Sequence, residues 1–309
     1  MGGAPWPQRP GCAAGLRYPQ PHWTYQEAAS LWTACAGGSG GTPRAGVSLF
    51  FQAPFAQINW WMHAWGVAEM APGRTASLMA SPQGVACLTW IQDLVRNKVA
   101  IPRGGMNLLA QGQCVFKQSG GWELLPAAQQ LSNRVKWDIL PSPTWPAGRS
   151  TFNNIDFYGL NAASRHPDQA WELLRWVCAE PDYQRFQMRV TLVQPCLLNL
   201  WREWEATVQS VAPPLRGKQL HWLHNAEAEG YAWPNVFFKY AASEADTLVD
   251  QWLTEIWNGQ VSPELGLRQL SAQLAALERG GATETAAAAG TAKAFPSQGA
   301  PIAEVTPGV

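Results

Sequence analysis

An α/β fold is predicted by three features of the sequence. Short apolar strand-like runs alternate with helix-period segments, several helix starts carry their own caps, and 309 residues suffice to bury a sizeable core. Thr24 followed by Glu27 is a capping box, and Ala28, Leu31, Trp32 and Cys35 recur at helical spacing, which predicts a helix over 25–36. The glycine-rich loop "GGSGGTPRAG" ends that helix and feeds a strand in "VSLFF". Ser81-Pro82 opens a second helix, with serine as N-cap and proline in the first turn, burying Val85, Leu88, Ile91, Leu94 and Val95. A short helix, the strand "QCVFKQS" and the turn "GGW" occupy 104–122, and "KWDILPSP" and "FYGLNAAS" read as two further strands. Helices follow from His166-Pro167 through Val177, near 182–189, over 244–257 and, after Ser262-Pro263, over 263–278. From Arg279 the composition falls to Ala, Gly, Thr and Pro, which predicts a disordered tail over 279–309.

Composition excludes several function classes. Net charge is zero and no basic run occurs, so neither nucleic acid nor an anionic membrane surface is an expected partner. The six cysteines, at 12, 35, 87, 114, 178 and 196, form no C-x-x-C pair and show no metal-ligand spacing, so no metal or cofactor is expected. Cys87 and Cys178 fall beside apolar positions of helices and read as small buried hydrophobes. The start "MGGAPWPQRPGCAAG" has no apolar h-region, and no run of eighteen apolar residues follows, so the sequence as given shows neither an export signal nor a membrane span.

Tryptophan is the outlier, with 18 copies in a chain that is only 14% charged. The stretch "FFQAPFAQINWWMHAWG", residues 50–66, places six aromatic rings beside Gln52, Gln57, Asn59 and His63. Most of those rings must be core, because fully burying one is worth roughly 4–6 kcal/mol. Trp61 and Trp65 share a helical face, which leaves Trp60 pointing elsewhere. Rings interleaved with amides suit a partner that has apolar C–H faces and many hydroxyls, namely a sugar.

A glycosidase would use the same aromatic subsites, but it needs two carboxylates across the scissile bond, and nothing pairs Asp156 with Glu123. "HWLHNAE" spaces His221, His224 and Glu227 along a helix that reads as a solvated face, since no further ligand residue accompanies them. "GGMNLLAQG" lacks the Lys-Ser/Thr end of a phosphate loop, and no G-x-S-x-G elbow occurs. A tryptophan-rich interaction module is the third class.

Several stretches, in order across residues 12–278, resemble the extracellular solute-binding proteins of ABC sugar importers, the maltose-binding-like family 1. They are "AGLRYPQPHWTYQEA", "SPQGVACLTWIQDLVRNK", "LLAQGQCVFKQSGGWEL", "WDILPSPTWPAGRSTFNNIDFYGLNAASRHPDQAWELLRWV" and "LTEIWNGQVSPELGLRQLSAQL". The resemblance implies a periplasmic-binding-protein type II-like two-lobed α/β fold with ligand trapped between the lobes. It places residues 18–138 and 196–278 in a largely complete second lobe and 139–195 in a remnant of the first, with an N-terminal extension over 1–17. Everything the family carries upstream of "AGLRYP" is missing, so a truncated copy is expected, with its remaining first-lobe strands uncovered.

The implied function is that of a monomeric, non-enzymatic binding component that captures a carbohydrate, a mono- or oligosaccharide, or a related small solute and delivers it to ABC permease subunits. Its implied location is periplasmic or extracellular, associated with the membrane. Matched position by position, the resemblance implies ligand-binding roles for Trp60 or Trp61, for Trp122 in "GGW", and for Trp233 in the extended "YAWPN" loop. Asn154 and Asp156, on the strand expected to cross between lobes, would take sugar hydroxyls.

Overall fold

The computed structural model describes residues 16, 18–37, 43–49, 51, 54–67, 78–131, 135–153, 158–234 and 242–289. A parallel sheet in the order β2-β1-β3 is formed by β1 (Ala45–Ser48), β2 (Ala100–Ile101) and β3 (Cys114–Lys117). Val47 stands opposite both Ala100 and Phe116, and all four β1 residues are buried, as a parallel strand covered on both faces must be. The strand thus begins earlier than "VSLFF" predicts, while Leu49 and Phe51 remain buried beyond its end. Gly46 lets β1 run against the end of the first helix, because a Cβ there would lie 2.7 Å from Trp32 Cα.

The helices in chain order are α1 (Tyr25–Cys35), α2 (Pro54–Ala64), α3 (Pro82–Arg96), α4 (Asn107–Ala110), α5 (Leu124–Gln130) and α6 (Pro167–Ala179). They continue with α7 (Pro181–Thr191), α8 (Trp201–Val211), α9 (Asn225–Ala228), α10 (Ala242–Trp257) and α11 (Pro263–Ala289). The capping box of α1 is present: Thr24 N–H donates to Glu27 Oε2 at 2.7 Å, and Glu27 N–H donates to Thr24 Oγ1 at 3.2 Å. Ser81 Oγ caps α3 by accepting from Gly84 N–H.

The main core gathers Trp32, Trp61, Leu88, Ile91, Val249, Leu253 and Leu270 from α1, α2, α3, α10 and α11 around the sheet. Gln92 Nε2 donates to Ile256 O at 2.6 Å, tying α3 to α10 across 164 residues. A second core holds Leu124, Met188, Leu192, Leu200, Trp204, Val208 and Leu215 from α5, α7, α8 and their flanks. Its central ring, Trp204, satisfies its indole by donating to Leu192 O at 3.2 Å. Two small pairings flank the passage between the cores. β4 (Thr144–Trp145) and β5 (Gly148–Arg149) form a hairpin, and β6 (Thr151–Asn153) pairs in parallel with β7 (Ala232–Pro234).

Several expectations are corrected. "KWDILPSP" and the described part of "FYGLNAAS" form no strand: the first runs as irregular chain held by side-chain bonds, including Trp23 Nε1–H to Pro141 O at 3.0 Å. Prolines at 141 and 143 remove ladder donors there. The "YAWPN" segment, read as a loop, contributes β7. "HWLHNAE" is broken into a 3₁₀ turn at Leu220–Leu223 and the single turn α9, so its spacing defines no continuous face. Helix α11 carries on past Arg279 to Ala289, because an alanine-rich segment too poor for a core is still a strong helix former. Cys87 is fully buried as expected, whereas Cys178 is only half-buried.

Candidate functional site

A cleft of about 1360 Å³ lies between the sheet with its helices and the second core. Its floor is aromatic. Trp60 and Trp61, 2% and 1% exposed, meet Trp145 edge-to-face at centroid distances of 5.7 and 5.0 Å. Both belong to the main core and touch the cleft from beneath. Among the described residues their indole N–H groups meet no acceptor oxygen, and edge-to-face ring contacts surround them.

The turn after β3 forms one wall. Gly121–Glu123 make a single 3₁₀ turn that holds Trp122 at the rim, 39% exposed, with its ring perpendicular to Phe152 at 6.3 Å. Lys117, whose side chain is 1% exposed, pairs with Glu123 at 2.9 Å, and Ser119 Oγ donates to the same carboxylate at 2.5 Å. A buried ion pair persists only when its remaining polar atoms are also bonded, and Ser119 supplies that bond.

A second stretch of wall is made by Gln194, Trp201, Trp222 and Tyr231, and Gln194 lies against the Trp122 turn, where a Cβ on Gly121 would come 2.8 Å from its Oε1. Gln194 Nε2 donates to Leu223 O at 2.8 Å, which fixes the amide. Arg149 clamps this wall to β5. Its guanidinium lies 4.4 Å from the Tyr231 ring centroid and 5.7 Å from that of Trp222, while it bonds Glu229 at 3.0 Å and Pro21 O at 3.2 Å. Tyr18 closes one end, where burial, reinforced by the charge of Asp138 and a hydrogen bond to it, pushes the phenol up to about 12. Asp138 is itself held by Gln219, through its N–H at 3.0 Å and its Nε2 at 3.1 Å.

Of the residues singled out in the sequence, Trp60, Trp61 and Trp122 line this one cleft. Trp233 lies outside its lining: the half-buried ring stacks on His63, 3.6 Å between centroids and 11° between planes. Asn154 and Asp156 lie outside the described residues. Sequence reasoning missed Tyr18, Asp138, Lys117, Gln194 and Tyr231, which line the cleft only because segments far apart in the chain meet there. The cleft can stack flat apolar faces on Trp122 and offer hydroxyl-matching amides and carboxylates beside it. Among the described residues no group of three His, Cys, Asp or Glu side chains is placed to hold a metal, and no helix is long and apolar enough to cross a membrane.

The family model of the bacterial extracellular solute-binding proteins matches residues 13–183, and the chain belongs to this family, whose members are binding proteins rather than enzymes. The fold is that of the two-lobed periplasmic binding proteins. It is similar to the ABC substrate-binding protein Lmo0181 from Listeria monocytogenes in complex with cycloalternan, with a TM-score of 0.67 and 17% identity over 84% of this chain. It is also similar to the sugar-binding protein MalE from Xanthomonas citri, with a TM-score of 0.66, 14% identity and coverage of 87% of this chain and 67% of that one. A third relative in structure is the cyclic α-maltosyl-1,6-maltose binding protein from Arthrobacter globiformis, with a TM-score of 0.61, 19% identity and coverage of 85% and 66%. The chain spans 65% of the length of the Listeria protein. Among curated proteins no relative matches.

Proposed function

We propose that this chain captures a carbohydrate, a mono- or oligosaccharide, in its aromatic cleft as the solute-binding component of an ABC importer, handing it to permease subunits outside the cytoplasmic membrane. The observation that carries this reading is Trp122, a large ring 39% exposed on a braced turn, lining a cleft that amide and aromatic side chains also line. Rings of this kind stack on sugar C–H faces, and buried polar groups around them select hydroxyl patterns. Trp60 and Trp61 then form the floor on which the ligand rests, Asn154 and Asp156 take hydroxyls, and Trp233 holds the neighbouring segment through His63.

In this reading residues 139–195 belong to the first lobe, with 18–138 and 196–278 in the second. Support comes from α6, an amphipathic helix without a single buried residue, whose Trp171, Leu173 and Trp176 are 52%, 62% and 49% exposed. Leaving these three side chains about half-exposed forgoes part of the roughly 1.5–3 kcal/mol that fully burying each would give, and further first-lobe structure packed on α6 would recover it.

Titrating the protein with a panel of oligosaccharides while following tryptophan fluorescence tests the reading. Saturable quenching without release of shorter sugars is expected. Silence to every sugar, or steady product release, overturns it.

A further inference from the structure

Gly120 has extended backbone, φ −141° and ψ −178°, which any residue adopts, so its torsions do not call for glycine. Space does. A Cβ at residue 120 would lie 2.7 Å from Cε3 of the Trp122 indole and nearer still to Cζ3 and Cη2. The six-membered ring of Trp122 therefore lies folded back over the bare Gly120 backbone. Gly121 is confined from the other side, since a Cβ there would come 2.8 Å from Gln194 Oε1. The same turn is pinned at its ends by the Lys117–Glu123 pair at 2.9 Å and by Ser119.

We propose that Gly120 is a positioning residue for ligand recognition: its missing side chain is the seat that sets the ring of Trp122, and the Lys117–Glu123 pair locks the turn around that seat. Any side chain at 120 swings the indole away from the orientation it presents to the cleft. The turn is tied by the bonds of Glu123 to Lys117 and Ser119, so the ring moves and the turn stays. The part of this inference that concerns ligand rests on the proposed sugar-binding function; the part that concerns the ring does not.

The test uses Gly120→Ala, Trp122→Ala and the double variant in the full chain. The 15N indole spectrum of the free protein, with the Trp122 signal assigned from Trp122→Phe, should show that signal displaced in Gly120→Ala and its fluorescence more open to acrylamide. The remaining indole signals should hold. With maltotriose as the probe, each single variant should bind at least tenfold more weakly, and the double variant no more weakly than Trp122→Ala alone.

An unmoved Trp122 signal in Gly120→Ala, or additive losses in the double variant, overturns the proposal. Should Gly120→Ala fail to fold, Gly120→Ala with Trp122→Val decides: it folds if the ring was the obstacle, and a second failure overturns the assignment. Absence of maltotriose binding in the parent protein tells against the sugar, while the indole signals still judge the seat.

Discussion

His63 and Trp233 lie face to face, 3.6 Å apart and 11° from parallel, joining the end of α2 to β7. The stack partly buries the imidazole and thereby lowers its pKa from the ordinary 6.5. Neutral His63 is therefore the form that the fold holds. Because the unfolded chain binds that proton more readily, stability is full above about pH 6.5 and falls as pH drops from there through the lower, folded value. His224 acts with the same sign, lowered chiefly by burial and further by His221, against the opposing charge of Glu205. Thermal melts between pH 7.5 and 5 should show Tm decreasing, and the double variant His63→Gln, His224→Gln should flatten the curve.

Trp61 and Trp122 should differ sharply in what they contribute to the fold. Trp61 is 1% exposed at the centre of the main core, so Trp61→Ala should cost about 3–5 kcal/mol in urea unfolding. Trp122→Ala removes a ring that is 39% exposed, and should change unfolding by about 1 kcal/mol or less while abolishing sugar-induced quenching.

The sequence carried the local parts of this architecture well. Thr24 with Glu27, and Ser81 before Pro82, mark helix starts because caps act within one turn, and both caps are made. Trp122, singled out because it follows a glycine pair at a strand end, does line the cleft. The two glycines make room for the ring of Trp122 and for Gln194. Tyr18 and Asp138 were not legible, because their approach depends on segments 120 residues apart. "KWDILPSP" misled because its apolar residues pack as irregular chain, and alternation alone cannot tell that from a ladder.

Lys117→Met should destabilise the turn that carries Trp122. It leaves Glu123 with its carboxylate in a nearly closed site and Ser119 as its remaining contact there among the bonds described above. A loss of about 3 kcal/mol in urea unfolding is expected, with Lys117→Met, Glu123→Gln recovering part of it. Equal losses in the single and double variants would count against a buried pair.

Thr24→Ala removes the acceptor that caps Glu27 N–H and should cost about 1 kcal/mol, read as a small shift in the urea midpoint with an unchanged slope. Thr24→Ser should restore it.

The parallel pairing of Thr151–Asn153 with Ala232–Pro234 closes a loop of roughly eighty residues, an entropic toll of about 4 kcal/mol that the chain meets before either strand gains a neighbour. The Gln92 to Ile256 bond ties α3 to α10 across 164 residues, so the face of α3 that α10 covers waits bare until α10 has been made. Closures over such sequence distances slow folding, and until they are made the indoles of the main core are exposed apolar surface.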